Sequence, residues 1–553
     1  MTRKNSAAGL RGPADLVLVN GRITADDHGP GSARAIAIRG DRIAAVGGDE
    51  EIRHLAGPHT VVADLGGRRV IPGLYDSHIH FVRAGRAWID EARWDEARSV
   101  AEALEIIRTA ARSRRPGEWI TVLGGWHPFQ FAEGRAPTRA ELDDVAPHNP
   151  VYAQEIYTRA TLNTQAMRIC GVTGADAAPA GGVYETDEAG TPTGVVSGIP
   201  AFNHCLRFTM IDDVERETRS TRALVAELAA LGLTGVVDMG GRSRMGVDAY
   251  RGLYELHRRG DLDMRVRLYT HVFGENEQNE FDNYMAYVRP GFGDDLLRVV
   301  GIGEIMSHSW YDADGLEDLA LSAEHRDQLR TMTLRAIDRG WAINIHAVGD
   351  SAIRQILDVW DTIGREQFAA ARRMSFSHAD FASEQTLKRI REFGFGITVQ
   401  HWMSTGAADL AARLGVEQVS QQPKLRTMLD LGLPLGAGTD AMVAAPANPW
   451  QALHWLVTGI NGGRGPSRTR EQLLTREEAL RAYTAGSAWI GLDETDVGVL
   501  RRGMKADLAV LSEDYFEVPD EHIPFITSEL TLLNGYPSHE GAAFAGLRPA
   551  INA

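Results

Sequence analysis

Eight short apolar runs, each stopping abruptly at a polar residue, set the rhythm of the central part of the chain. They are VIPGLYDSHIH, GLTGVVDM, RVRLYTHV, RVVGIGE, WAINIH, MSFSHA, FGITVQ and LPLGAGTD. Runs this short and this rich in Val, Ile, Leu and Gly read as parallel strands buried on both faces. Most are followed by a segment with helical apolar spacing, such as SAIRQILDVWDTI after His346 and EQTLKRIREF after His378. Strand and helix alternating eight times predict an α/β protein built on a closed (β/α)8 TIM barrel, whose working rim is formed by the C-terminal ends of the strands.

Both ends of the chain follow a different period. ADLVLVNGRIT, ARAIAIRGDRIAAVG and TVVADLGGRRVIPG alternate apolar and polar positions between the turn dipeptides Asn20-Gly21, Gly40-Asp41 and Gly66-Gly67, and VGVLRRGMKADLAVLSED reads the same way. The pattern predicts one composite β-sandwich from residues 14–70 and 490–553, flanking a barrel over 71–489, with residues 1–13 a disordered tail. The stretch 81–208 is too long for a crossover and holds its own strand-like runs, EWITVLGGW and NPVYAQEIY. It reads as a subdomain inserted after the first barrel strand, above the barrel mouth. Its cluster from Trp126 to Phe131 suits either an apolar wall over the site or the insertion's own core.

Composition narrows the class. With 553 residues, 44% apolar and 24% charged, the chain is a soluble globular protein with more than one structural unit. A net charge of -16 argues against a nucleic-acid partner, and Arg112, Arg114 and Arg115 read as a solvated helix end. No run approaches the ~20 apolar residues of a membrane span, and the first residues lack the apolar region of a secretory signal. Two cysteines, Cys170 and Cys205, give no disulfide framework and point to a reducing, cytoplasmic setting. The expected partner is a small molecule, with a homo-oligomer left open.

The chemistry lies where the runs stop. His78 and His80 close the first run, Glu304 the fourth, His346 the fifth, His378 the sixth and Asp440 the last. His-x-His on a strand puts both imidazoles on one face, so both reach one ion. The last strand of a closed barrel neighbours the first, which brings Asp440 toward that ion, although Asp is also a frequent helix cap. Asp76 shares the phase of the two histidines but lies deeper, and Asp350 is most simply a helix cap. Six such donors on one rim can hold one or two divalent ions. Imidazole and carboxylate donors favour zinc, with manganese, iron or cobalt able to substitute. Large side chains near the presumed mouth, Trp126, His127, Phe129, Trp310, Tyr311, His401 and Trp402, predict a largely apolar substrate pocket for a bulky ligand.

In this order and spacing, IPGLYDSHIH, IHAVGDSAI, FSHAD and GAGTDAM resemble the signature set of the amidohydrolase superfamily. More narrowly, with VNGRI, GGW, GTPTGVV, TAGSA and GMKADLAVL, the chain is similar to amidohydrolase family 3, the YtcJ-like branch that includes N-substituted formamide deformylases. The resemblance runs from about Ala14 to Ser512. It implies a β/α barrel with a composite β-sandwich and one or two divalent ions, most often zinc. His78, His80 and Asp440 would hold the more buried ion, and His346 with His378 the second. Many members bridge the ions with a carboxylated lysine from the fourth strand; this chain offers Glu304 there. Related sequences often carry a histidine five residues before an asparagine, where this chain has Thr158 before Asn163.

A divalent ion lowers the pKa of bound water to about 7, so a metal-bound hydroxide is available at neutral pH. Asp440 beside it would act as general acid/base. The expected reaction is hydrolysis of an amide or related non-peptide C–N bond, of the N-acyl or N-formyl amine type. A metal-dependent lyase, decarboxylase or isomerase on the same site, or a non-catalytic binding protein, is the alternative.

Overall fold

The computed structural model describes residues 12–25, 29–210, 212–240, 249–272, 276–312, 315, 318–369, 371–461 and 465–547. Most of the expected N-terminal tail and the last six residues lie outside them. Eight parallel strands form the central sheet: β1 (Leu74–Ile79), β2 (Leu233–Asp238), β3 (Arg265–Thr270), β4 (Leu297–Ile302), β5 (Ala342–Ala347), β6 (Met374–His378), β7 (Gly396–Gln400) and β8 (Leu435–Gly438). They follow one another in chain order around the sheet. In seven of the eight every residue is buried, the exception being β4, which accounts for the continuous apolar runs in the sequence.

The barrel closes where β8 meets β1. The Asp440 amide donates to the His78 carbonyl at 2.8 Å and the His80 amide to the Ala441 carbonyl at 2.9 Å. Just beneath, the Asp76 carboxylate accepts from the Thr439 hydroxyl at 2.7 Å and from the His78 amide at 2.9 Å. Gly438 makes this approach possible, because a Cβ there would stand 2.5 Å from both Asp76 Oδ1 and the His78 nitrogen. Asp76 therefore serves the barrel seam. Helices cover the outside: Asp350–Asp361 buries Ile353, Ile356, Leu357 and Trp360, and Glu384–Phe393 buries Leu387 and Ile390 before stopping at Gly394 with φ 74°. Asp350 is not the cap of its own helix, as the sequence suggests. Gly349 holds that position, and Asp350 instead accepts from the Ser383 amide at 2.7 Å, at the start of the helix Glu384–Phe393.

Below the barrel, both chain ends build a sandwich. One sheet pairs Arg42–Gly47, Ala35–Arg39, Ala14–Val19 and Ala56–Asp64; the other runs from Tyr536–Glu540 through Ser528–Leu533 and Leu508–Leu511 to Arg69–Pro72, Arg22–Ala25 and Gly29–Ala33. Leu508–Leu511 lies antiparallel to Arg69–Pro72, so the two ends are stitched by one sheet. Leu16, Leu18, Ile23, Val70, Leu508, Val510 and Leu530 share its core.

The segment after the last barrel helix passes under the barrel floor. Arg267, fully buried in β3, pairs with Asp493 at 2.6 Å, and the Tyr75 hydroxyl donates to the same carboxylate at 2.8 Å. Removing one partner of a buried pair strands the other charge in the interior. Asp493→Ala should thus cost about 3–5 kcal/mol, read as a fall in the denaturation midpoint. A midpoint equal to that of the parent protein would show that solvent or another anion reaches Arg267.

The insertion has its own five-stranded sheet, in the order Val183–Thr186, Pro192–Ser197, Arg159–Leu162, Val151–Glu155 and Ile120–Val122. It also has its own core. Trp126, 1% exposed, stacks on Phe131 at 5.5 Å and meets Trp94 edge-on at 4.7 Å, while its indole N–H donates to the Gln154 carbonyl. The neighbouring Gly124 docks the insertion on the rim: its φ is 131° and a Cβ would lie 2.4 Å from the Val443 carbonyl beyond β8. Among the described residues, no helix is long and apolar enough to cross a membrane.

Candidate metal centre

Six side chains from five strands converge at the C-terminal rim. His78 lies in β1 and His80 just past it, in the same pleat phase, with ring centroids 5.5 Å apart. Glu304 stands two residues beyond β4, its amide donating to the Met239 carbonyl and its carbonyl accepting from the His346 amide. His346 is in β5, His378 ends β6 and Asp440 follows β8. His378 and Asp440 have φ of 73° and 60°, a left-handed conformation costly for residues with a Cβ. Strain of this kind gathers at functional sites, where surrounding structure holds it in place. Here the seam hydrogen bond of Asp440 is part of that hold.

The donor atoms form two overlapping groups. In the first, Asp440 Oδ1 lies 3.5 Å from His78 Nε2 and 3.2 Å from His80 Nε2. In the second, Glu304 Oε2 lies 3.6 Å from His78 Nε2 and 3.4 Å from His378 Nε2, with His346 Nδ1 at 3.0 Å. Glu304 Oε1 is also 3.5 Å from His80 Nε2, so this carboxylate faces both groups. Two ligands ~2.0–2.1 Å from one tetrahedral ion stand ~3.3–3.4 Å apart, the spacing found here. His78 Nε2 and Asp440 Oδ1 are buried without a hydrogen-bond partner. A buried polar atom left so is costly, and a cation would satisfy both. The donor set fits a divalent ion.

Electrostatics differ from donor to donor: burial opposes the charge of His78, but Glu304 and Asp440 outweigh it and raise the imidazole. Burial opposes ionisation of Glu304, yet His78, His346 and His378 hold its carboxyl well below the ordinary range. Burial opposes the charge of Asp440 as well, and His78 and His80 keep that carboxyl low. Burial, helped by Arg83, lowers His80, which leaves a neutral imidazole fit to ligate. Asp76 is pushed up to about 7 by burial, against the hydrogen bonds from Thr439 and His78. Outer contacts orient the rings: His78 Nδ1 lies 2.9 Å from the Ser377 hydroxyl, and His346 Nε2 lies 3.4 Å from Asp312, which itself accepts from the Val348 and Gly349 amides.

A cavity of about 500 Å³ opens onto His80 and Glu304. Its apolar walls are Ile199, Phe202 and Leu206 from the insertion helix Ile199–Leu206, with Met442, Val443 and Ile305 from rim loops. Of the seven residues expected to contact substrate, Tyr311 lines this cavity, with its ring 4.5 Å from that of His346. The other six do not line it. Trp126 is in the insertion core and Trp310, 1% exposed, in the barrel core. His127 caps the turn Pro128–Gln130 and faces Glu155 at 3.8 Å, with Phe129 beside it. Burial holds His401, just past β7, down to about 4, and the Trp402 indole N–H donates to Asp380 at 2.8 Å. Aromatic content alone does not say which core a ring joins.

Sequence reasoning missed four residues. His271, just after β3 and 3.9 Å from Glu304, stands at a strand end like the six candidates, so its signal was present; burial lowers it to about 3. Asp312, Arg83 and Tyr157 lie in loops or a helix and carry no periodic signal.

A sequence model of the amidohydrolase family matches residues 61–539. The chain belongs to the amidohydrolase family. Relatives in sequence include the N-substituted formamide deformylase of Arthrobacter pascens, 25% identical, with 90% of this chain and 94% of that one aligned. The YtcJ protein of Bacillus subtilis is 23% identical over 92% of this chain and 96% of its own. In structure, an uncharacterized metal-dependent hydrolase from Pyrococcus furiosus superposes with a TM-score of 0.66 at 23% identity, covering 91% of this chain and all of that one. Family membership explains the shared motifs and leaves each site residue to be argued from its own contacts.

Proposed function

We propose that this amidohydrolase-family protein is a metal-dependent hydrolase that cleaves an amide or related non-peptide C–N bond of a small molecule. The observation that carries the reading is the convergence of six buried donors at two-ligand spacing, two of which, His80 and Glu304, open onto an apolar-walled cavity. Zinc is the favoured ion, because imidazole and carboxylate donors suit it. When bound, a divalent cation lowers the pKa of water to about 7 and polarises a carbonyl oxygen. Asp440, in the first donor group beside His80, would take a proton from the attacking water and return it to the departing nitrogen. Ile199, Phe202 and Leu206 screen the reacting bond from bulk water. Glu304, between the two donor groups, balances the positive charge that the site collects.

Elemental analysis of protein produced with metal supplied should find at least one equivalent of a transition metal. Chelation should abolish amine release from a panel of N-acyl and N-formyl amines, cyclic amides and carbamates, and added zinc should restore it. Absence of stoichiometric metal would overturn the ligand assignment. Turnover of the panel by loss of carbon dioxide or by isomerisation, without released amine, would overturn hydrolysis.

A further inference from the structure

Two arginines line the cavity: Arg207 is exposed to solvent, while Arg83 is withdrawn from it without a carboxylate paired to it. Arg83 lies in the short helix Phe81–Ala87 that follows His80, and it lines the same cavity as His80 and Glu304. It is half-buried, its Nε has no hydrogen-bond partner, and its recorded hydrogen bond runs from Nη2 to the Tyr157 hydroxyl at 2.7 Å. Among the described residues it makes no ion pair. Arg86, one turn along the same helix, pairs with Glu217 at 2.9 Å. The carboxylates whose charge reaches Arg83 are engaged elsewhere: Asp440 faces His78 and His80, and Asp238 accepts the Val82 amide at 2.7 Å and the Gly240 amide at 2.9 Å.

A guanidinium withdrawn from water without an anion is unfavourable, whereas a carboxylate presented to its planar fork gains two charge-assisted hydrogen bonds. The Tyr157 hydroxyl, accepting from Arg83, keeps its own proton to donate to the same anion. In the same cavity Ile199, Phe202 and Leu206 supply a hydrocarbon wall, with Asn203 of the same helix among them. Resting on the hydrolase reading above, we infer that the amide cleaved here carries a carboxylate that docks on Arg83 and Tyr157, with its bulky apolar part against the Ile199–Leu206 helix. The substrate class is thus an N-acylated amino acid or a similar carboxylate-bearing amide. A wholly apolar amide, which the aromatic content of the sequence suggests, leaves Arg83 unanswered.

Calorimetric titration of the metal-loaded protein with 3-phenylpropionate and with the matched neutral 3-phenylpropionamide tests the anchor without turnover. The carboxylate should bind about 10- to 100-fold more tightly. Arg83→Gln should erase that preference at unchanged metal content, and Arg83→Lys should retain part of it. Equal affinity for the two ligands in the parent protein would overturn the proposal. So would a preference that survives in Arg83→Gln, since the carboxylate would then be held by the ion or by Arg207. Should Arg83→Gln fail to fold, Arg83→Lys and the ligand pair on the parent protein decide the matter. Kinetics on N-acetylphenylalanine against N-acetylphenethylamine add a second readout, with the loss in Arg83→Gln falling on KM for the charged substrate. No amine release from these two or from the panel above, with the calorimetric preference intact, would sink the hydrolase reading while supporting the anchor.

Discussion

Replacing Asp440 by Asn should lower kcat by about 10²- to 10⁴-fold while leaving KM within a few-fold. The substitution keeps the shape of the side chain and the backbone hydrogen bond to His78 that closes the barrel. It removes the oxygen that can accept a proton, and it deprives His78 and His80 of the anion 3.5 and 3.2 Å from their Nε2 atoms. An amide oxygen still ligates, so metal content should fall less than activity. Measuring kcat, KM and bound metal on one preparation separates these effects. A kcat within a few-fold of the parent value would remove Asp440 from proton transfer and leave it a ligand alone.

Glu304→Gln should act in the opposite proportion, with metal lost first and activity lost with it. Glu304 Oε2 stands 3.0–3.6 Å from nitrogens of His346, His378 and His78. The neutral amide would leave these imidazoles facing cations with one negative charge fewer. Loss of outer contacts to a metal ligand costs roughly 10- to 100-fold in affinity or rate, and a direct ligand should cost at least as much. Elemental analysis that drops by one equivalent would assign Glu304 as the bridge. Full metal and full rate would make it a rim carboxylate beside a single ion.

The six candidate ligands were legible because a buried parallel strand writes itself as an apolar run, and the residue that ends the run must be on the rim. His378 and Asp440 needed nothing beyond that, although their left-handed backbone left no trace in the sequence. Register is local, and so is the His78-x-His80 pair. The cavity wall is not local. Trp126 and Phe202 both sit in the insertion, yet one ring stacks in its core and the other faces the site, a choice made by how the insertion docks through Gly124 on Val443. Arg83 was equally silent, since an arginine in a helix is most often a solvated one. What marks it is the absence, among the described residues, of a carboxylate paired with it, and that is a property of three-dimensional packing.

The seam between β8 and β1 also governs when the first donor group is complete. Thr439 and Asp76, which join there, are 363 positions apart in the chain. During synthesis His78 and His80 emerge early, as an open imidazole pair, and the carboxylate that completes their group arrives only with the last barrel strand. That donor group is therefore complete only once the two ends of the barrel sequence have met, and a chain truncated before the last strand carries the two histidines without the carboxylate.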